Sequence, residues 1–358
     1  MRLLEAPDDT AAVEQLHDLG CTDGLPVVVP TPDRVDRFVL ASGLDADALL
    51  GVMGPLGGAA TVEQVAANAV MAGCLPDHLP VVLAAVRAVC RPEFDLAEMQ
   101  STTHCTAPLV IVHGPVVDFA GVASGFGALG PGHRANATIG RALRLCMMNL
   151  GGARPGVSDM ALLGHPGKFT FCLGESAELS PWDPMHTDWG YRADESAVTV
   201  VGAEPPHSTI FVGDADDPTS VDRLLDALAR VIANTGSNNA HFRAGAITVV
   251  LNPDHATVLD AAGLSRADVR RELAARATNP RGELARLNPA FAGEGHPSDR
   301  IPAVRDAADL LVLVAGGPGL YSVVMPSWGT GPHRNPAVHE RVDLDQACEV
   351  PGAPYMPQ

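Results

Sequence analysis

Three short apolar runs constrain this 358-residue chain most: residues 109–112 (LVIV), 246–251 (AITVVL) and 310–315 (LLVLVA). A membrane helix needs about 20 apolar residues in succession, so runs this short read as strands buried in a sheet. Helical patterns separate them. Residues 220–234 put Leu224, Leu228, Val231 and Ile232 on one face, and Thr61 and Gln64 have capping-box spacing ahead of a helix over 62–72. Strands alternating with helices predict an α/β protein. Between 168 and 212, however, strands over 168–173, 197–201 and 209–212 follow one another with no room for helices. The expected fold class is therefore mixed α/β: a partly antiparallel sheet with flanking helices. The expected parts are a helix-rich 1–160, a mixed α/β 161–340 and a tail 341–358, with one continuous domain as the alternative. Residues 279–305 read as a long polar loop.

The stretch 125–156 (GFGALGPGHRANATIGRALRLCMMNLGGARPG) reads as a glycine-rich loop feeding a helix that starts near Asn136. Asn136 or Thr138 can cap its start. The chain carries 42 acids, yet residues 119–158 contain none; the average would place about five there. Arginines early in a helix oppose its dipole, so an anion is expected to offset them. Arg134, Asn136, Arg141 and Arg144 are accordingly candidate substrate-binding residues, pairing with acids from elsewhere being the structural alternative. Lys168 and Trp182, the latter on the stiff loop Pro181-Trp182-Asp183-Pro184, complete that set. Gly-x-Gly-x-x-Gly occurs at 125–130, but no strand leads directly into it, which argues against a dinucleotide site.

A net charge of −18 argues against nucleic acid or an anionic membrane surface as partner. The opening residues contain no apolar core of signal-peptide length, and seven scattered cysteines form no CxxC pair. Reduced thiols and a cytoplasmic location are expected.

Catalytic candidates come from the ionisable groups near predicted strand ends. If residues 168–173 (KFTFCL) form a strand, period two puts Lys168, Thr170 and Cys172 on one face, where the lysine would stabilise a thiolate on Cys172. Glu175, just beyond, would carry protons. His113 lies at the end of the run 109–112, and α/β sites open at the carboxyl ends of strands. His186 follows the Pro-fixed loop. His113 and His186 could join His241 and His255 around a metal, but no HxH, HExxH or CxxC spacing supports it and no metal or other cofactor is assigned.

The blocks Asp23-Gly24-Leu25-Pro26, Asn68-Ala69-Val70-Met71-Ala72-Gly73-Cys74, Arg134-Ala135-Asn136-Ala137-Thr138-Ile139-Gly140-Arg141-Ala142 and Ser180-Pro181-Trp182 span most of residues 20–325. Together they resemble a little-characterised bacterial family. Its members are often encoded beside, or fused to, small proteins with a selenocysteine- or cysteine-Gly-Ser-Cys motif. The resemblance implies a two-component enzyme with a thiol or selenol partner protein, since this chain lacks the Gly-Ser-Cys element. The expected function is a redox or carbon–sulfur reaction on a small anionic metabolite, in an oligomer. The alternatives are a hydrolase or lyase using His and carboxylate acid–base chemistry, and a non-catalytic scaffold subunit.

Overall fold

The computed structural model describes residues 4–213, 217–289 and 298–344. The chain opens with helices α1 (Asp9–Asp18), capped by the Asp8 side chain, and α2 (Pro32–Ser42). A hairpin of β1 (Leu49–Met53) and β2 (Gly58–Thr61) runs into α3 (Val62–Ala72), whose start carries the Thr61–Gln64 capping box that the spacing predicts. Next come α4 (Leu79–Val89), α5 (Leu96–Ser101), β3 (Ala107–His113), the one-turn α6 (Val116–Phe119) and the long α7 (Arg134–Asn149). Strands β4 (Cys172–Gly174), β5 (Ala197–Ala203) and β6 (His207–Ile210) follow without an α-helix between them. The remainder alternates: α8 (Ser220–Ile232), α9 (Asn238–Phe242), β7 (Ile247–Leu251), α10 (Pro253–Ala261) and α11 (Arg266–Arg276). After these come β8 (Thr278–Pro280), α12 (Arg281–Leu287), β9 (Arg300–Pro302), β10 (Leu310–Val314), β11 (Tyr321–Met325) and β12 (Val338–Arg341).

The fold is mixed α/β, as expected, but its main strands form two four-stranded sheets rather than one. The first has the order β12-β5-β3-β4 and the second β10-β7-β11-β6. In each sheet one pair is parallel (β3 with β4, β10 with β7) and the others are antiparallel.

Period-two alternation sorts each strand's side chains into two layers. On β3, Val110 and Val112 pack with Val65 of α3, Leu83 of α4 and Ile139 of α7. Its other face, Ala107, Leu109 and Ile111, packs with Val250, Leu311, Leu313 and Met325 of the second sheet. Beyond that sheet, Ile247, Val249 and Leu251 meet Leu224 and Leu228 of α8 and Val269 and Leu273 of α11. The result is four layers, helix–sheet–sheet–helix. A strand covered on both faces must be apolar throughout, which is why the three runs show no alternation.

Several expectations change. The strand read over 168–173 begins only at Cys172, and Lys168 instead ends a single 3-10 turn, Pro166–Lys168. Helix α7 starts at Arg134 with His133 at its cap position and no side-chain cap bond. Asn136 lies inside it, where its buried amide accepts the Ala123 N–H and donates to the carbonyls of Ala123 and Ala128, tying down the glycine-rich loop. Gly140 lets α7 approach the entry to β4, because a Cβ there would sit 2.5 Å from the Phe171 nitrogen. The polar stretch 279–305 contributes α12 and the β8–β9 pair. The expected parting at 160 runs through a sheet, since β3 before it pairs with β4 and β5 after it. The expected tail lies outside the described residues from 345 onward.

Candidate metal centre

At the carboxyl ends of β3 and β4, three ionisable side chains meet in the layer between the two sheets. His113 is the last residue of β3, and Glu175 follows β4 by one residue. The parallel register pairs Ile111 with Leu173 and Val112 with Gly174, so its continuation sets His113 beside Glu175 on the same face. His113 Nδ1 lies 2.6 Å from Glu175 Oε2. Gly114 turns the chain away at φ 76°, and a Cβ there would lie 2.1 Å from the Glu195 carbonyl oxygen. His186 comes from the 3-10 turn Met185–Trp189, its ring centroid 5.4 Å from that of His113. The backbone N–H of Met185 donates to both Glu175 oxygens, at 2.8 and 2.9 Å. His113, His186 and Glu175 are 0, 1 and 3% exposed, so nothing in bulk water competes for them.

Their partners set the protons. His186 Nε2 lies 3.0 Å from the Arg192 carbonyl, which can only accept. The ring proton therefore sits on Nε2, and Nδ1 presents a lone pair that meets no partner at hydrogen-bonding geometry. Burial, then the neighbouring His113, pull His186 below its ordinary pKa against the opposing carbonyls of Arg192 and Glu195 and the Glu175 carboxylate. The neutral ring is thus favoured. His113 Nε2 is 2.8 Å from Thr199 Oγ1, which is also 3.0 Å from His339 Nδ1. A hydroxyl can accept from one ring while donating to the other, so Thr199 can hold both rings at once. Burial and His113 push His339 down to about 3, and its ring stacks on Trp189 at 3.7 Å.

Each of His113, Glu175 and His186 offers one donor atom, and the three atoms lie within 4.8 Å of one another. Two imidazoles and a carboxylate are a donor set for zinc or a similar divalent ion. The second ring nitrogen of a metal-bound histidine is ordinarily held by a carbonyl, carboxylate or hydroxyl, as both are here. Positive charge stands nearby. Arg266 Nη2 is 4.0 Å from Glu175 Oε1, Arg266 Nη1 is 3.3 Å from Asp188, and Arg270 Nη2 is 2.6 Å from Asp188. Arg266 also donates to the Asp183 carbonyl. The Nε of each of these arginines is buried without a partner.

Of the sequence-derived catalytic set, the fold brings His113, Glu175 and His186 together and leaves Cys172 out. Cys172 has the opposite strand parity, so it points into the helix-side core beside Val110 and Cys74. Burial, and Cys74 beside it, push its thiol well above the ordinary range, and Lys168 shares no strand face with it. The expected lysine-stabilised thiolate does not form. His255 bonds Ser322 and Phe211 and His241 bonds Thr235, apart from the cluster.

The arginines of α7 do not converge on one anion. Arg134 donates twice to the Gly73 carbonyl that ends α3. Arg141 holds Asp23 by two bonds of 2.7 and 2.8 Å and reaches the carbonyls of Leu25 and Pro26. Arg144 and Lys168 each bind Asp159 at 2.7 Å. Trp182 donates from its indole to the Leu264 carbonyl and packs against the second-sheet core.

Thr199, His339, Arg266, Arg270 and Asp188 escaped the sequence reading. Arg266 and Arg270 could have been found: they stand four apart on α11, on the face where Val269 and Leu273 are buried, and charge on a core-facing stripe is a site signal.

No protein-family model matches this chain, and no curated protein matches it.

Proposed function

We propose that this chain is a metal-dependent enzyme, a hydrolase or lyase for a small anionic substrate, with His113, Glu175 and His186 holding a divalent ion. The observation that carries the reading is the buried, unpartnered Nδ1 of His186, aimed by its Nε2 bond to Arg192. A buried lone pair without a partner costs roughly 1–3 kcal/mol, and an ion is the partner that two imidazoles and a carboxylate suit. A divalent ion so held polarises a substrate oxygen and activates water. The chain's own residues do the rest: Thr199 and Arg192 orient the imidazoles, the Met185 N–H fixes the carboxylate, and Arg266 and Arg270 supply positive charge for an anionic substrate. Elemental analysis of the protein after loading with zinc and desalting tests this. Close to one ion per chain is expected, falling to background in His186→Ala with the far-UV spectrum unchanged; equal retention in both refutes it.

A second reading keeps the redox or carbon–sulfur reaction with a thiol- or selenol-bearing partner that the family resemblance implies. With Cys172 sealed in the core, the reactive sulfur or selenium comes from that partner. Exposed apolar side chains in one segment favour such company: Val157, Leu162 and Leu163 are 77, 81 and 97% exposed. Co-purification with the partner, weakened by Leu163→Glu, tests it. A cytoplasmic location is part of both readings, and no described helix is long and apolar enough to cross a membrane.

A further inference from the structure

At the opposite end of β3 and β4 from His113 and Glu175 lies a cavity of about 520 Å³. Arg144, Asp159 and Lys168 form its polar wall, and Met148, Leu163 and Phe169 are among its apolar walls. Arg144 and Lys168 also line a small hollow at the first residues of β3, Ala107 and Pro108. Seven residues of strand at about 3.3 Å each put this cavity roughly 20 Å from the metal centre.

The charges there do not balance. Arg144 and Lys168 share the single carboxylate of Asp159, one oxygen each. Asp23 also touches the cavity, but its two oxygens are already bound by Arg141. His165 on the wall is neutral, since burial and Lys168 pull it down to about 4. One positive charge is left over among the lining residues; Glu204, which acts on His165 from outside the lining, is engaged 3.2 Å from His104. The donors to express it remain: Lys168 spends one of its three N–H groups on Asp159, and Arg144 spends one N–H of each Nη, on Asp159 and on Gln100, and keeps the other. A hollow of this size with mostly apolar walls and a few convergent polar groups is the usual form of a small-molecule site.

We propose that this cavity binds a small organic monoanion, a carboxylate with an apolar tail, at a site separate from the metal centre. The carboxylate takes the spare N–H groups of Lys168 and Arg144, and the tail lies against Met148 and Phe169, with the exposed Leu163 only at the rim. One surplus charge matches a monoanion better than a phosphate dianion, and the apolar walls exclude small hydrophilic ions.

Isothermal titration of the full-length protein with hexanoate tests the proposal, with hexylamine, hexanol and inorganic phosphate as comparison ligands. Saturable one-to-one hexanoate binding is expected, with hexylamine and hexanol silent. Lys168→Gln should weaken it about tenfold, the loss of one charge-assisted bond. Ala161→Trp, which adds bulk at a lining residue that is no partner of Arg144 or Lys168, should abolish it while the thermal midpoint stays put. Binding should persist in His186→Ala, so failure of the metal-centre reading leaves this result untouched. No saturable hexanoate binding, phosphate binding more tightly than hexanoate, or binding indifferent to both cavity variants would overturn the proposal.

Discussion

Loading the metal centre should stabilise the fold by an amount that the size of the chain and mass action set together. A ligand that binds only the folded state at one hundred times its dissociation constant adds about 2.7 kcal/mol. At about 2.1 cal/mol/K per residue, 358 residues unfold with an entropy of roughly 0.75 kcal/mol/K. Zinc at that concentration should therefore raise the thermal midpoint by about 4 °C, read by differential scanning fluorimetry. His186→Ala should lose most of the midpoint shift, because two ligands remain of three. A midpoint that rises equally in wild type and His186→Ala would refute the geometry of the centre.

Three further outcomes follow from the same contacts. Arg141→Ala strands the buried Asp23 carboxylate and should cost about 3 to 5 kcal/mol in urea unfolding, leaving zinc uptake unchanged; a loss under 1 kcal/mol would mean that the pair is dispensable. Cys172→Ser places a hydroxyl in an apolar core and should destabilise by about 1 to 3 kcal/mol with zinc uptake retained; conversely, alkylation of Cys172 ahead of the partly exposed Cys21 in the folded protein would contradict its burial. Burial, then Arg134, hold His78 down to about 4, so it stays neutral in the fold while the unfolded chain takes up a proton below about pH 6.5. Its contribution is present above that pH and is lost at about 1.4 kcal/mol per unit as the pH falls toward 4, so the stability–pH slope in His78→Gln should be shallower by that amount.

Much of the local structure was legible because it depends on neighbours in the chain. Thr61 and Gln64 cap α3 through atoms three residues apart, and the runs at 109–112, 246–251 and 310–315 are apolar because strands between two layers have no wet face. The misreading of 168–173 has an equally local cause. Its alternation resembles a strand, but Lys168 is drawn into a turn where it reaches Asp159, and pairing with β3 begins only at Cys172. The arginines of α7 were visible as a charge anomaly, whereas the answering acids were not: Asp23 lies 118 residues away from Arg141.

The sequence by itself determined the mixed α/β class, the starts of α3 and α8 and the residue types a centre would need. Tertiary structure decided which of them meet. His113 and Glu175 stand 62 positions apart and become neighbours only because β3 and β4 pair in parallel in one register, and His186 joins through a turn held by the Glu175 carboxylate itself. The same register turns Cys172 to the other side of the sheet, since a strand's side chains alternate and one residue of parity separates the inter-sheet layer from the helical core.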